Sequence, residues 1–162
     1  MGQKNLAEII SMRGVILPDD EPFLMRLFFE LHLEDPNWKT LEEKQRKLLL
    51  DMQYSAQNQH YSNLYPNAAH QIVNYSGTSV GRLFVDRSAK YIHCIDITIL
   101  GEYRNQGIGS FILNDLIGES SKSEKVFSLE VLKTNPAVKL YERLGLKVVR
   151  DEGAHWRMEL LE

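Results

Sequence analysis

The stretch "YRNQGIGS" (103–110) joins the apolar run "ITIL" (97–100) to a second apolar run that begins "FIL" (111–113). The period of the apolar residues changes here from that of a strand to that of a helix, so Gly107 and Gly109 lie at the predicted start of a helix. Glycine lowers helix propensity by up to about 1 kcal/mol relative to alanine, but it lets a ligand approach the backbone. The first turn of a helix has free N–H groups and partial positive charge, which suit a phosphate. Taken alone, the stretch favours an ordinary glycine-rich turn between strand and helix, with a diphosphate site as the alternative.

The rest of the sequence predicts a layered fold with one mixed sheet, of the α/β or α+β class. A helix follows Asp19 or Asp20 as its cap, and Thr40 and Glu43 have the spacing of a capping box for a second helix that ends before Pro66. Strand patterns, bounded by turn residues, alternate with further helical patterns. The order is strand 13–17, two helices over 18–35 and 40–66, strands 70–77, 79–88 and 90–100, a helix from 108, strand 125–132, helix 136–145, and a hairpin over 146–153 and 155–161.

Composition is that of one ordinary domain, which we place at 1–162, with 1–11 as an N-terminal extension if Met12 is an alternative start. The chain has 162 residues, of which 43% are hydrophobic and 25% are charged, so it can build a core. The net charge of -3 argues against a nucleic-acid partner. No apolar run has membrane-spanning length, and the single cysteine, Cys94, fits a buried thiol in a cytoplasmic protein without a zinc site.

A second motif changes the interpretation of the glycine loop. "NPAVKLYERLG" (135–145) follows the strand after the loop. Together with "RNQGIG" (104–109), in this order and on these elements, it resembles the two motifs of the GNAT N-acetyltransferase superfamily. The resemblance covers about residues 70–160 and extends loosely to the N-terminal helices. It implies the GNAT fold: a central, splayed, mixed and mostly antiparallel sheet of about six to seven strands, flanked by about four helices.

The resemblance also implies an acetyl-CoA site, with no metal. The strands 90–100 and 125–132 would part, and acetyl-CoA would lie in the gap between them. Asn135 would hydrogen-bond the cofactor, and the hydroxyl of Tyr141 would point at its sulfur. Backbone groups of one strand would hold the pantetheine arm, namely Ile97, Thr98 and Ile99. Backbone amides of the loop would hold the pyrophosphate, namely Arg104, Asn105, Gln106, Gly107, Ile108, Gly109 and Ser110.

The implied reaction is acyl transfer from a thioester to an amine. The amine must lose a proton, the oxyanion must meet a donor, and the departing thiolate needs a proton. A phenol such as Tyr141 is protonated at neutral pH and can protonate the thiolate. The alternative is a core tyrosine in a helical stripe. The N–H group of Ile99 is the candidate for polarising the carbonyl.

Three possibilities for the base stay open. His93 stands where many relatives carry a glutamate, and its pKa range suits proton transfer. Asp96 lies three residues later in an apolar strand, where a carboxylate needs a partner or a purpose. A water chain is the third possibility. On a regular strand these two side chains point to opposite faces, and a bulge would change that. We expect Glu102 to order the turn. For Glu130, on the facing strand, we expect a role in cross-strand structure, with a place in the cleft as the alternative.

We therefore expect an acetyl-CoA-dependent N-acetyltransferase that acts on a primary amine of a small molecule, peptide or protein by direct attack in a ternary complex. The alternative is a non-catalytic acyl-CoA-binding regulator on the same fold. The partners would be acetyl-CoA and an amine, without nucleic acid or membrane, in a monomer or homodimer. Tyr54, Gln57, Tyr61 and Leu64 lie at helical spacing, with His60 and Tyr65 nearby, and are candidates for lining the acceptor site, as are, less strongly, Trp38 and Trp156. Ordinary packing is the alternative for this stripe.

Overall fold

The structure is a computed structural model that describes residues 5–161. Its seven-stranded sheet has the order β1-β2-β3-β4-β5-β7-β6. All neighbouring strands are antiparallel except β4 and β5. The elements are α1 (Leu6–Ile9), β1 (Ile10–Gly14), α2 (Glu21–Leu33), α3 (Pro36–Lys39), α4 (Glu43–Leu64), β2 (Ala69–Tyr75), β3 (Thr78–Arg87), β4 (Tyr91–Ile99), α5 (Ile108–Lys122), β5 (Val126–Leu132), α6 (Val138–Arg143), β6 (Leu146–Glu152) and β7 (His155–Leu160), with a 3-10 turn at Gly101–Tyr103.

The predicted architecture is confirmed: the sheet is mixed and mostly antiparallel, and four main helices flank it. The helices α5 and α6 pack on one face, where Ile112 and Tyr141 join the main core with strand residues such as Val85. The helices α2 and α4 pack on the other face around Phe28 and Tyr54. Two additional short helices, α1 and α3, have four residues each. In the described part of the chain, no helix is long and apolar enough to span a membrane.

The N-terminal strand lies earlier in the chain than its sequence pattern predicted. It covers Ile10–Gly14 rather than 13–17, and it pairs with β2 along its whole length. Ile10 is only 7% exposed and belongs to the main core. Residues 10 and 11 are therefore part of the sheet, while residues 1–4 of the expected extension lie outside the described residues.

Two predicted helix caps are wrong in their side-chain contacts. Asp20 does stand at the N-cap of α2, but its side chain makes no cap hydrogen bond. Its carboxylate instead accepts two hydrogen bonds from the guanidinium of Arg13, both 2.7 Å long. Thr40 ends α3, where its hydroxyl donates to the carbonyl of Asn37, and Glu42 is the N-cap residue of α4. In both cases the side chain that local spacing assigned to a helix cap makes a different contact. Asp20 binds Arg13 outside its helix, and Thr40 bonds to the preceding helix, α3.

Two irregularities of β4 shape the centre of the sheet. Its register with β3 pairs Phe84 with Asp96 and Val85 with Cys94, so Ile95 forms a bulge. Its pairing with β5 joins only Tyr91–Cys94 to Val126–Leu129. Beyond these residues β4 still pairs with β3, and β5 still pairs with β7. The sheet therefore opens into a gap between β4 and β5, as the splayed fold predicts.

Candidate active site

The β4 edge of the gap exposes the backbone of two isoleucines. The amide of Leu100 donates to the carbonyl of Val80 at 2.8 Å. Backbone hydrogen bonds alternate along an antiparallel strand. The register therefore directs the N–H and C=O groups of Thr98 to β3, and those of Ile97 and Ile99 to the opposite side, toward the gap. The carbonyl of Ile99 accepts a hydrogen bond of 2.9 Å from Nε of Arg104. The two isoleucines can thus bind an extended ligand as a further strand would.

The glycine loop lies at the end of this edge and is shaped for an anion. Gly107 is the N-cap residue of α5 with φ +83°, and Asn105 has φ +60°. The helix has no side-chain cap among the described residues, so its first N–H groups are open to a ligand. A Cβ placed on Gly109 would meet no atom within 4 Å. The glycines leave the N-terminus of α5 bare, as a diphosphate requires.

The charged side chains of the loop bind α2 rather than the expected ligand position. Nη1 of Arg104 donates to both carboxylate oxygens of Glu34, at 2.7 and 2.9 Å. Arg26 donates to Glu102 at 3.3 Å. Gln106 donates to the carbonyl of Glu102 at 3.4 Å. The side chains of Glu102, Arg104 and Gln106 thus hold the turn against α2 and within the loop itself.

Tyr141 lies on α6, on the other side of the gap from the loop, and is 8% exposed. Burial raises its pKa, and the nearby Cys94 and Asp96 raise it further. The phenol is therefore protonated at neutral pH. Its hydroxyl makes no hydrogen bond to any residue within 5–161, so it is free to donate to a ligand. Asn135 precedes α6, where its Oδ1 accepts the amide of Ala137 at 2.9 Å.

The bulge brings His93 and Asp96 to the same face of the sheet, toward α4. His93 is buried, its Nδ1 lies 2.8 Å from the hydroxyl of Ser128, and its ring stacks on Tyr65 with centroids 5.6 Å apart. Burial lowers its pKa to about 4, with a smaller contribution from the charge of Arg157. The imidazole is thus neutral at pH 7 and is held between two strands and a helix.

Asp96 is bound by a buried guanidinium. Arg82 is 5% exposed and donates to one carboxylate oxygen of Asp96 through Nε, at 2.8 Å, and through Nη2. The other oxygen accepts the hydroxyl of Thr98 at 2.7 Å. Arg82 also donates to the amide oxygen of Gln57 on α4 at 2.9 Å. Both carboxylate oxygens are already hydrogen-bond acceptors, and the buried cation depends on them for its counter-charge.

The structure places a second carboxylate, Glu130, at the gap. It is the first residue of β5 beyond the part paired with β4. It lies on the same strand face as Ser128, and its side chain is 43% exposed. The nearest cation is Arg157 of β7, with N and O atoms 3.9 Å apart. The sequence favours a cross-strand structural role for Glu130 over a place in the cleft, because its position at the opening of the gap depends on the register between β4 and β5.

Two cavities lie between the N-terminal helices and the sheet. The larger, of about 140 Å³, includes Tyr54 and Tyr61 in its wall. The smaller, of about 90 Å³, includes Gln57 and Tyr61 beside Asp96. Of the candidate lining residues at this end of the fold, Tyr54, Gln57 and Tyr61 lie in the cavity walls, whereas Leu64, His60 and Tyr65 line neither of these two cavities. Trp38 instead packs against the α2–α4 core, and Trp156 lies 4.1 Å below Nζ of Lys133.

Comparison with models of protein families identifies the family of this chain. Residues 25–146 match the model of the acetyltransferase (GNAT) family. This range covers most of the chain and includes the gap, the glycine loop and Tyr141. The chain belongs to the GNAT acetyltransferase family, which uses acetyl-CoA. A comparison with curated proteins finds no match.

Solved structures of acetyltransferases share the fold. The PaiA N-acetyltransferase of Thermoplasma acidophilum in complex with coenzyme A is 18% identical, with a TM-score of 0.70 over 94% of this chain and 99% of its own. The histone acetyltransferase HPA2 and related acetyltransferase of Corynebacterium glutamicum is 19% identical, with a TM-score of 0.64 over 94% and 96%. Naa50 of Arabidopsis thaliana, in complex with a bisubstrate analogue, is 18% identical, with a TM-score of 0.56 over 93% and 96%.

Proposed function

We propose that the protein is an acetyl-CoA-dependent N-acetyltransferase that acetylates a primary amine by direct attack in a ternary complex. One observation carries this proposal. The gap between β4 and β5 ends at a helix N-terminus whose glycines leave it uncapped. An extended thiol carrier with a diphosphate at its far end fits such a path. The complex of the PaiA N-acetyltransferase with coenzyme A supports the proposal by analogy.

The backbone would hold most of the donor. We assign the pantetheine arm to the backbone groups of Ile97, while Thr98 holds β4 against β3. At Ile99 the carbonyl already accepts Nε of Arg104, which leaves its N–H for the thioester end of the donor. The pyrophosphate is assigned to backbone amides of the loop from Arg104 through Ser110, above all those at the start of α5. The Oδ1 of Asn135 accepts the amide of Ala137 in the turn before α6, so its Nδ2 is the group assigned to the donor.

The thioester would supply an electrophilic carbonyl carbon and a thiolate leaving group. Three groups of this chain would then act on the reacting atoms. Glu130, at the opening of the gap, accepts the proton of the attacking amine, directly or through water. The N–H of Ile99 donates to the carbonyl oxygen as negative charge develops there. The hydroxyl of Tyr141 donates its proton to the departing sulfur.

The contacts of the two earlier candidate bases support other roles. His93 is a weak base because its pKa is lowered to about 4, and its ring is enclosed by Ser128 and Tyr65. Asp96 is the counter-ion of Arg82. We therefore propose that these two residues form the floor of the site, while the more exposed Glu130 does the proton transfer.

A transfer assay tests this assignment. Purified protein is incubated with acetyl-CoA and a panel of amines, and thiol release is measured together with the acetylated product. We expect Tyr141→Phe and Glu130→Gln each to lower kcat by about ten- to hundredfold, with little change in acetyl-CoA affinity. Glu124→Gln, at an exposed carboxylate after α5, is the matched control. Acetyl-CoA that raises Tm without transfer to any amine would favour the regulator instead.

A further inference from the structure

Two ion pairs join the helix α2 to the residues around the glycine loop. Nη1 of Arg104 donates to both carboxylate oxygens of Glu34, at 2.7 and 2.9 Å. Arg26 donates to Glu102 at 3.3 Å, and it also donates to Glu30 at 2.9 Å, one turn further along its own helix. Glu34 is the C-cap residue of α2. The end of α2 is thus bound to the segment that precedes the helix N-terminus to which the diphosphate is assigned.

Arg104 extends this connection to the last residue of β4. Its Nε donates to the carbonyl of Ile99 at 2.9 Å, while the amide of Leu100 in the same peptide group donates to the carbonyl of Val80 at 2.8 Å. That peptide group is therefore bonded on both sides, although β5 no longer pairs with β4 at this level. Because a guanidinium is planar and its N–H groups point in fixed directions, the carboxylate that holds Nη1 also orients Nε.

The backbone that follows Arg104 needs this support. Asn105, the next residue, has φ +60°. Positive φ is uncommon for a residue other than glycine and persists where neighbouring contacts fix it. The end of α2 lies close to the same segment, since Oε1 of Glu34 would be in van der Waals contact, at 3.6 Å, with a Cβ placed on Gly101. The contacts of Arg104 therefore restrain the loop whose amides are assigned to the donor.

The same ion pairs determine the charge that a diphosphate meets at the loop. Two carboxylates, Glu34 and Glu102, lie beside it, and each would repel a phosphate. Each is paired with an arginine, so the charges of this set cancel. Neutralising Glu34 has two conceivable and opposite effects. A guanidinium of Arg104 that turned to the phosphate would strengthen donor binding, whereas a loop released from α2 would weaken it.

We infer that Glu34 is a positioning residue of the donor site: through Arg104 it holds the end of β4 and the glycine loop in the conformation that binds the diphosphate of acetyl-CoA. Glu34 itself touches neither the donor nor the reacting atoms. The inference rests on the proposed function for the identity of the donor. Because a bound diphosphate restrains the loop amides by itself, the ion pair contributes to donor binding and not to the rate of transfer once the donor is bound.

Calorimetric titration with acetyl-CoA tests this role. We expect Glu34→Gln to raise Kd about fivefold, the most that an exposed ion pair typically contributes, and to raise KM for acetyl-CoA equally while kcat stays within twofold. Glu119→Gln is the matched control and should leave Kd within twofold, because it breaks a similarly exposed pair with Arg87, 2.6 Å long, near the far end of α5. Both variants should keep Tm within about 4 °C of wild type, and a larger loss in Glu34→Gln would make the pair a general structural contact instead.

A double-mutant cycle determines whether Glu34 acts through Arg104. Arg104→Met removes the guanidinium and keeps the backbone amide, so Glu34→Gln should have no further effect on Kd in that background. Additive losses would overturn the route through Arg104.

The binding readout separates this inference from the proposed function. Unchanged or tighter binding of acetyl-CoA by Glu34→Gln, or a loss in kcat at unchanged Kd, would overturn the inference and leave the acetyltransferase intact as long as transfer persists. Binding that Glu34→Gln weakens, in a protein whose wild type transfers acetyl to no amine, would support the inference and count against the enzyme.

Discussion

Replacement of Asp96 by asparagine distinguishes a structural carboxylate from a catalytic base. The change removes the counter-charge of Arg82, whose guanidinium is 5% exposed and bonded to this carboxylate through two nitrogens. Breaking a buried pair by neutralising one partner costs about 3–5 kcal/mol, because the other charge stays buried. In a chain of this length each kcal/mol lowers Tm by about 2–4 °C. We therefore expect Asp96→Asn to lower Tm by about 6–20 °C.

Thermal and urea unfolding of both proteins would measure this loss, and transfer activity would be normalised to the folded fraction. Asp151→Asn is the matched control, because it breaks an ion pair of 2.7 Å with Lys133 in which the aspartate is 62% exposed. Exposed pairs contribute about 0–1 kcal/mol, so this variant should be nearly neutral. An Asp96→Asn protein as stable as wild type, yet a hundredfold slower, would refute the reasoning and make Asp96 the base.

Three further perturbations follow from the structure. Gly109→Ala should raise the free energy of unfolding by up to about 1 kcal/mol, since the new Cβ meets no neighbouring atom and alanine favours the helix. The same change should lower the affinity for acetyl-CoA at least tenfold, as measured by calorimetry. Equal affinity would contradict the phosphate assignment. A chain that starts at Met12 loses Ile10 from the core and should unfold at a lower temperature. Stability should fall as pH drops from about 6.5 toward 4. In the folded protein His70 and His93 have pKa values of about 4, so these histidines bind protons in the unfolded chain at a higher pH than in the folded one. Urea unfolding midpoints measured across this range test the direction, and their dependence on pH should be weaker in His70→Phe.

Local chemistry made the glycine loop predictable from sequence. Gly107 needs a positive φ and Gly109 needs open space, and both demands show in the sequence as glycines at a helix start. The antiparallel meander of β2, β3 and β4 followed from the strand patterns, and the gap between β4 and β5 from the resemblance to the family. The loop and the meander depend on residues close together in the chain, where period and spacing carry the information.

The polar face toward α4 could not be predicted in the same way. Whether His93 and Asp96 share a face depends on one extra residue, Ile95, and no local signal in the sequence marks that bulge. The pairing of Arg82 with Asp96 likewise depends on the register of three strands, as does the burial of His70, whose Nε2 makes no hydrogen bond within residues 5–161. Sequence reasoning assigned carboxylates by their neighbours along the chain, whereas their partners come from across the sheet.

The bulge also explains how one strand can serve two substrates. Beyond it, Ile97 and Ile99 direct their backbone groups into the gap, whereas the side chains of Asp96 and Thr98 meet Arg82 on the face toward α4. Donor binding would thus depend on the backbone of β4, and acceptor binding on side chains of the same strand. Because backbone groups are the same for every residue type, the acceptor face can vary between family members without changing the donor site. The side chains that distinguish this protein from its relatives should accordingly be sought on this face, from Asp96 of β4 across Phe84 of β3 to His70 of β2.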